Sequence, residues 1–295
     1  MDYSRLLKML RRQKAFSNIT NIFRKNGHLI CPNGFMLNFN QNNEKDVKQL
    51  YWFSLNYGVN FSNEKGFWHY KNGIVETPEG IKFSIRMFDP LIFSETFLAD
   101  IHFSNFDLRH KIVIQAGGFT GDTALYYASR GAKVFSFEPD PNSYNLAIMN
   151  IDLNSELSKE IVMKNYAIGA DEFIDFPVNP SGSGSSSAFS LENNESVKVR
   201  SVSIPTIIKE FSLDSPYLLD LDIKGKEFCA INDLAISEFS LIRIEYSTKI
   251  ADNVIGTRKN ILDKLKEYGF EKVRIFKHNE GAYDLMEHGT IEASK

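Results

Sequence analysis

Hydrophobic and polar positions along this chain follow two rhythms, and the change between them falls near Lys111. From there on, short apolar runs alternate with stretches of helical spacing. KIVIQA (111–116), AKVFSFEPD, IVMKNYAIG, DEFIDFPV, SVKVRSVS, PYLLDLDI and SLIRIEYS read as strands. DTALYYASRG, PNSYNLAIMNIDLN, IPTIIKEF, EFCAINDL and TRKNILDKLKEYGF read as helices between them. Such alternation predicts a mostly parallel sheet covered on both faces. EKVRIFK (271–277) and AYDLMEH (282–288) follow one another with no helix between, so one of the pair is expected to run antiparallel. The expectation is an α/β fold with a seven-stranded sheet and an antiparallel last strand over residues 106–295.

Residues 1–105 lack this rhythm and predict a smaller α+β region. LICPNGFMLNFN (29–40) reads as a hairpin around Pro32-Asn33-Gly34. EKDVKQLYWFSLNYG (44–58) has helical spacing, with Val47, Leu50, Tyr51, Ser54 and Leu55 on one face. Residues 71–88 read as two strands joined at Thr77-Pro78-Glu79-Gly80, and 89–103 as a helix entered through Asp89-Pro90. The chain's 24 Phe and 12 Tyr crowd partly into this region. A Phe-rich core accounts for them; a carbohydrate or partner surface is the alternative.

Composition narrows the classes. Of 295 residues, 43% are hydrophobic and 24% charged, ordinary for a chain that buries a core. A net charge of −3 argues against general nucleic-acid binding, which needs a basic excess. Residues 5–14 (RLLKMLRRQK) are basic and amphipathic, a solvated helix face or a contact for an anionic surface. No run approaches a membrane span, and no signal-peptide core opens the chain. Cys31 and Cys229 are far apart and lack metal-ligand spacing, so no metal is expected and a cytoplasmic setting is.

Residues 112–121 (IVIQAGGFTG) carry the most informative motif: a hydrophobic strand runs into glycines and then into a helix. Glycine permits the tight turn and lets a ligand approach the main chain, while the helix start directs free N–H groups toward it. A dinucleotide fingerprint needs glycine at x, x+2 and x+5. From Gly117 those places hold Phe119 and Asp122; from Gly118, Thr120 and Thr123. The pattern present is Gly117-x-x-x-Gly121, which resembles the first motif of Rossmann-like methyltransferases. Glu138 closes the second strand, 17 residues after Gly121. An acid there is placed to accept ribose hydroxyls; a solvent-exposed strand-end acid is the plainer reading.

The block VIQAGGFTGDTALYYASRGAKVFSFEPDPNSYNLAIMNIDLN resembles the opening of the FkbM family of methyltransferases. LLDLDIKGKEF (218–228) is similar to that family's K-I-D-V-E-G-x-E segment, IRIEY (242–246) to the strand after it, and the Ser-rich 181–190 to a family loop. The resemblance covers about residues 108–276. It implies a Rossmann-like methyltransferase fold and S-adenosyl-L-methionine as cofactor. The positions it implies for binding are Gln115, Gly117, Gly118, Gly121, Asp122, Thr123, Glu138 and Pro139. Two residues depart from the family: Gln115 replaces an Asp, and Lys224 replaces a Glu before Gly225. Gln115 can still accept a hydrogen bond from an ammonium, without the charge-assisted gain.

If the acceptor is a sugar hydroxyl, a base or a metal must assist the loss of its proton. Asp222 and Glu245, at the carboxyl ends of two predicted strands, are the candidates; a helix cap and a strand-end ion pair are their plain readings. His102 and His110 precede the first strand and reach a substrate only if that segment folds over the mouth. The favoured expectation is O-methylation of a glycan or small-molecule hydroxyl, in a chain compatible with a homo-oligomer. The rivals are a non-catalytic scaffold with a degenerate fold, motivated by Gln115 and Lys224, and a nicotinamide oxidoreductase, disfavoured by the glycine spacing.

Overall fold

The computed structural model describes residues 27–86, 88–99, 106–177, 196–250, 253–277 and 288–295. The basic stretch 5–14, His102 and the Ser-rich stretch 181–190 lie outside them. The chain divides into two compact units, one of Met1–Phe106 with Asp152–Asn154, the other of Asp107–Ile151 with Ser155–Lys295.

In the first unit, Pro32-Asn33-Gly34 turns β1 (His28–Ile30) back onto β2 (Met36–Asn38), as the sequence predicts. Helix α1 (Glu44–Tyr57) stops at Gly58, whose φ of 69° suits the left-handed end of a helix. Its buried side includes Trp52 and Phe53, whereas Leu55, expected inside, is 43% exposed. The two strands around Thr77–Gly80 are β4 (Ile74–Glu76) and β5 (Lys82–Ser84), and β3 (His69–Lys71) precedes them in a three-stranded antiparallel sheet. Helix α2 (Pro90–Phe97) starts at Asp89, whose carboxylate accepts from the Leu91 and Ile92 amides. Phe53, Trp68, Phe83, Phe88 and Phe93 are buried against one another in edge-on and tilted contacts. These rings form a core, and that accounts for the local aromatic load.

The second unit is built on a seven-stranded sheet. Its strands are β6 (Ile112–Ala116), β7 (Lys133–Phe137), β8 (Ile161–Lys164), β12 (Leu218–Leu221), β13 (Leu241–Ser247), β16 (Lys272–Lys277) and β17 (His288–Ser294). The spatial order is β16-β17-β13-β12-β6-β7-β8. The central pairs are parallel; β17 lies between β13 and β16, antiparallel to both. This is the expected sheet, with one shift along the chain. The antiparallel strand is His288–Ser294, not 282–288, of which 282–287 lie outside the described residues. Its Ile291 and Ala293 alternate with Thr290 and Glu292, so it offers one face to the core as the pattern of period two requires.

Helices α3 (Asp122–Ser129), α4 (Pro141–Asp152), α5 (Ile204–Glu210), α6 (Glu227–Ala230) and α7 (Arg258–Glu267) connect the strands. Two predicted strands belong elsewhere. DEFIDFPV and SVKVRSVS become β10 (Glu172–Pro177) and β11 (Ser196–Val202), which with β9 (Tyr166–Ile168) make a separate three-stranded sheet. IVMKNYAIG, expected as one strand, is divided between β8 and β9 at Asn165. The Asn165 side chain donates to the carbonyls of Glu138 and Pro139, and the chain leaves the main sheet there. A two-stranded ribbon, β14 (Lys249–Ile250) with β15 (Asn253–Val254), precedes α7.

The two faces of the main sheet differ chemically. Phe135, Ile114, Leu219, Ile242 and Ala293 form one row across five strands and join the hydrophobic core. The next row, on the opposite face, reads Ser136, Gln115, Asp220, Arg243, Glu292 and Arg274. Ser136, Gln115, Asp220 and Arg243 in this row are buried and must satisfy their hydrogen bonds within the protein, whereas Arg274 at its end is exposed.

Candidate functional site

The sheet changes its direction of growth between β6 and β12, and open α/β sheets bind ligands outside the carboxyl ends of strands at such a place. The glycine turn leaves β6 there. Gly117 (φ 89°), Phe119 (φ 42°) and Gly121 (φ 80°) all take left-handed backbone. The Gly117 and Gly118 amides donate to the Phe137 carbonyl, which ties the turn to the end of β7. A Cβ on Gly117 would stand 2.0 Å from the Asp222 carbonyl oxygen, and one on Gly118 2.5 Å from Ser136 Oγ. These glycines therefore permit the tight turn that the sequence predicts and let it pack against protein. Gly121 admits α4, with a Cβ there 3.3 Å from Ala147.

Glu138 ends β7 and is buried, which overturns the solvent-exposed reading. Its Oε2 accepts from the Phe119 amide and its Oε1 from the Asp140 amide, each at 2.8 Å. The carboxylate thus holds the glycine turn and the entry to α4 together. Burial pushes its pKa up to about 8, against the pull of those two backbone donors. Asp122, in the first turn of α3, is buried and accepts from Thr120 and Thr123 hydroxyls. Burial raises its pKa to about 6. Pro139 is half-buried, and its carbonyl is held by Asn165.

Gln115 is buried beneath the turn. Its Oε1 accepts from Ser136 Oγ at 2.8 Å, and its Nε2 points at the Gly117 carbonyl at 3.4 Å. Asp220 faces it directly on β12. A carboxylate at 115 would bring a second acid beside Asp220 in a dry place, so the amide has a physical reason for being there.

Asp222 follows β12, and its amide donates to the Ala116 carbonyl at 3.0 Å. Lys224 Nζ lies 2.8 Å from Asp222 Oδ1 and 3.6 Å from Glu245 Oε1, so one lysine stands between both candidate bases. Burial raises the Asp222 pKa, helped by the charge of Glu245 and opposed by Lys224 and Arg243. Burial alone would lower the Lys224 pKa, but Asp222 and Glu245 outweigh it and keep the ammonium charged. Glu227 fixes this loop, accepting from the Ile223 and Gly225 amides at 2.8 and 2.6 Å.

The residues that sequence reasoning missed lie behind this loop. Arg243 Nη1 donates to Asp220 Oδ1 at 2.8 Å and Nη2 to Glu245 Oε2 at 3.2 Å; Tyr127 Oη donates to Asp220 Oδ2 at 2.7 Å. His288 Nε2 meets Glu245 Oε1 at 3.2 Å. Charged residues in the middle of LLDLD and LIRIE were the available signal, since a buried charge requires a partner. Glu245 therefore has the ion-pair role of its plain reading. His110 is exposed at the amino end of β6, opposite the crevice, and its amide donates to the Gly131 carbonyl.

A model of the methyltransferase FkbM domain matches residues 113–272. The chain belongs to the FkbM methyltransferase family. No curated protein matches it. Among solved structures it is similar to the METTL16 methyltransferase domain, at 11% identity over 100% of this chain and 92% of that one, with a TM-score of 0.44. Magnesium protoporphyrin IX methyltransferase from Synechocystis PCC 6803 with bound SAM is 12% identical over 69% of this chain and 76% of that one, with a TM-score of 0.40. Precorrin-6y C5,15-methyltransferase from Geobacter metallireducens GS-15 is 10% identical over 71% and 92%, with a TM-score of 0.37. The described residues of this FkbM-family chain include no helix long and apolar enough to cross a membrane, and no group of three or more His, Cys, Asp or Glu that could hold a metal ion.

Proposed function

We propose that this FkbM-family chain transfers the methyl group of S-adenosyl-L-methionine to a hydroxyl of a glycan or small molecule, and that residues 106–295 are the domain that does so. The observation that carries the reading is the cluster of acids at the carboxyl ends of the strands, at the switch point. Asp122, Glu138 and Asp222 lie close enough for Asp222 to raise the pKa of the other two. Acids whose pKa values are raised together are relieved when a cation comes beside them, and adenosylmethionine brings a sulfonium and an ammonium.

Glu138 would take the ribose through the lone pairs its two backbone donors leave. The Gly117–Gly121 turn with Gly118, Asp122, Thr123 and Pro139 would line the same crevice, and Gln115 would face the amino-acid end. The cofactor supplies an electrophilic methyl group, and its thioether leaves without acid assistance. What remains for the protein is orientation and proton removal. Asp222 is the better placed acceptor of the hydroxyl proton: it follows β12 at the crevice, and its raised pKa makes it a stronger base than an ordinary carboxylate. Glu245 also faces Arg243 and His288.

One observation favours the non-catalytic alternative: Lys224 is in contact with both carboxylates. Calorimetry with adenosylmethionine, adenosylhomocysteine and NAD separates the readings. The methyltransferase reading expects the first two to bind and NAD not to; methyl transfer from labelled donor to a panel of glycans and small hydroxyl compounds then tests the acceptor class. A folded protein that binds neither adenosyl compound refutes the proposal and leaves the scaffold reading.

A further inference from the structure

The loop after β12 carries a cation into an acidic crevice, and its place there is built. Glu227 holds the amides on either side of Lys224, whose own backbone is left-handed at φ 48°. The ammonium ends 2.8 Å from Asp222 Oδ1, and the Asp222 carbonyl is the atom against which Gly117 packs. It also ends 3.6 Å from Glu245 Oε1. Among the described residues, the charged groups around this point are Asp222, Glu245 and Glu227, with Asp122 and Glu138 near Asp222, Arg243 and Asp220 in the buried row, and His288 of β17 on Glu245. Arg243 is committed to Asp220 and Glu245 within the buried row. The Lys224 side chain is 38% exposed, whereas that of Arg243 is buried.

We propose that Lys224 is a specificity-determining residue that sets how the crevice discriminates the charged methyl donor from its uncharged spent form. This rests on the adenosylmethionine reading above. Adenosylmethionine and adenosylhomocysteine share their adenosine and amino-acid parts and differ by one methyl group and one positive charge. A charged side chain near the reacting sulfur therefore acts on one ligand and hardly on the other. Lys224 offsets Asp222 and Glu245, so it weakens the attraction for the sulfonium while leaving the thioether untouched. In the transfer itself, the acceptor oxygen bonds to the methyl carbon as the carbon–sulfur bond breaks. The electron pair of that bond stays on sulfur, and the hydroxyl proton passes to a carboxylate. The sulfur loses its positive charge on the way, so a nearby cation raises the starting complex more than the transition state. The lysine lowers donor affinity, and this repulsion eases as the charge leaves sulfur.

Calorimetric affinities for both compounds, measured on wild type and on Lys224→Met, Lys224→Glu and Lys224→Arg at low salt, test this. Lys224→Met should shift the affinity ratio toward adenosylmethionine by roughly tenfold, about 1.4 kcal/mol for the removal of one positive charge. Lys224→Glu should shift it further the same way, and Lys224→Arg should leave it within about twofold. Lys224→Gln replaces the Met variant if that one does not fold. A purely structural lysine would change both affinities together and leave the ratio alone. A ratio constant within about twofold across the series, with both ligands still bound, overturns the inference and spares the proposed function. Wild type that binds neither ligand overturns both.

Discussion

Glu138→Gln probes the buried acid that joins the glycine turn to α4. In the folded protein the carboxyl titrates near 8, against an ordinary value of 4.5. A carboxyl raised by folding is protonated in the native state over a range where the unfolded chain has already lost its proton. Its contribution to stability is therefore greatest below 4.5, declines as pH rises, and levels off above about 8. Between pH 4.5 and 7 the decline is on the order of 3 kcal/mol, at about 1.4 kcal/mol per unit. Glutamine cannot titrate, so the variant lacks this decline. It has a fixed cost instead: one carbonyl oxygen can serve either the Phe119 or the Asp140 amide, and the NH2 group faces the other donor. Such a loss costs about 1–3 kcal/mol at every pH. The variant should therefore be less stable than wild type at pH 5 and as stable or more so at pH 8, with the curves crossing between. Asp122 and Glu227, raised to about 6 and about 7, slope the same way in both proteins and largely cancel in the difference. Urea unfolding at pH 5, 6, 7 and 8 measures it. A stability difference constant within about 0.5 kcal/mol over that range would refute the assignment of Glu138 as a buried, native-state acid.

Two further substitutions test the packing beneath the site. Gly117→Ala should destabilise by more than about 3 kcal/mol. Its Cβ falls 2.0 Å from a backbone oxygen at a φ of 89°, where strain alone costs about 1–3 kcal/mol; a urea midpoint close to wild type would contradict the placement of Asp222 over the turn. Gln115→Asp should lower the melting temperature more at pH 8 than at pH 5, because the new acid sits across from Asp220 and is relieved by protonation. Equal losses at the two pH values would show that the pair does not interact.

The polar row also bears on how the domain holds its shape. Arg243, Asp220, Tyr127 and Glu245 link α3 with two central strands through hydrogen bonds of 2.7–3.2 Å. Removing Arg243 leaves the buried charge of Asp220 without its ion-pair partner, which costs about 3–5 kcal/mol. The network ends at Glu245, beside Lys224 and His288, so the geometry of the crevice depends on residues well inside the sheet.

Taken alone, the sequence determined the order of strands and helices from Lys111 onward, the antiparallel closing strand and the glycine turn. It did so because each is a local or periodic property: period two in the strands, 3.6 in the helices, and glycine where φ is positive. It also marked Glu138, because the acid directly ends an apolar strand. The tertiary structure decided what local pattern cannot carry. DEFIDFPV and SVKVRSVS alternate like main-sheet strands, and nothing local separates them from one; their pairing with each other and with Tyr166–Ile168 makes them a second sheet. The closing strand lies at His288–Ser294 because pairing with β13 and β16, not propensity, selects its register. Gln115 and Lys224 looked like losses when read one at a time. Across strands, Gln115 is the neutral neighbour of Asp220, and Lys224 is the shared partner of Asp222 and Glu245. Charge balance in a dry interior is settled between residues distant in sequence, because the energy of a buried charge depends on what folding brings within a few ångströms of it.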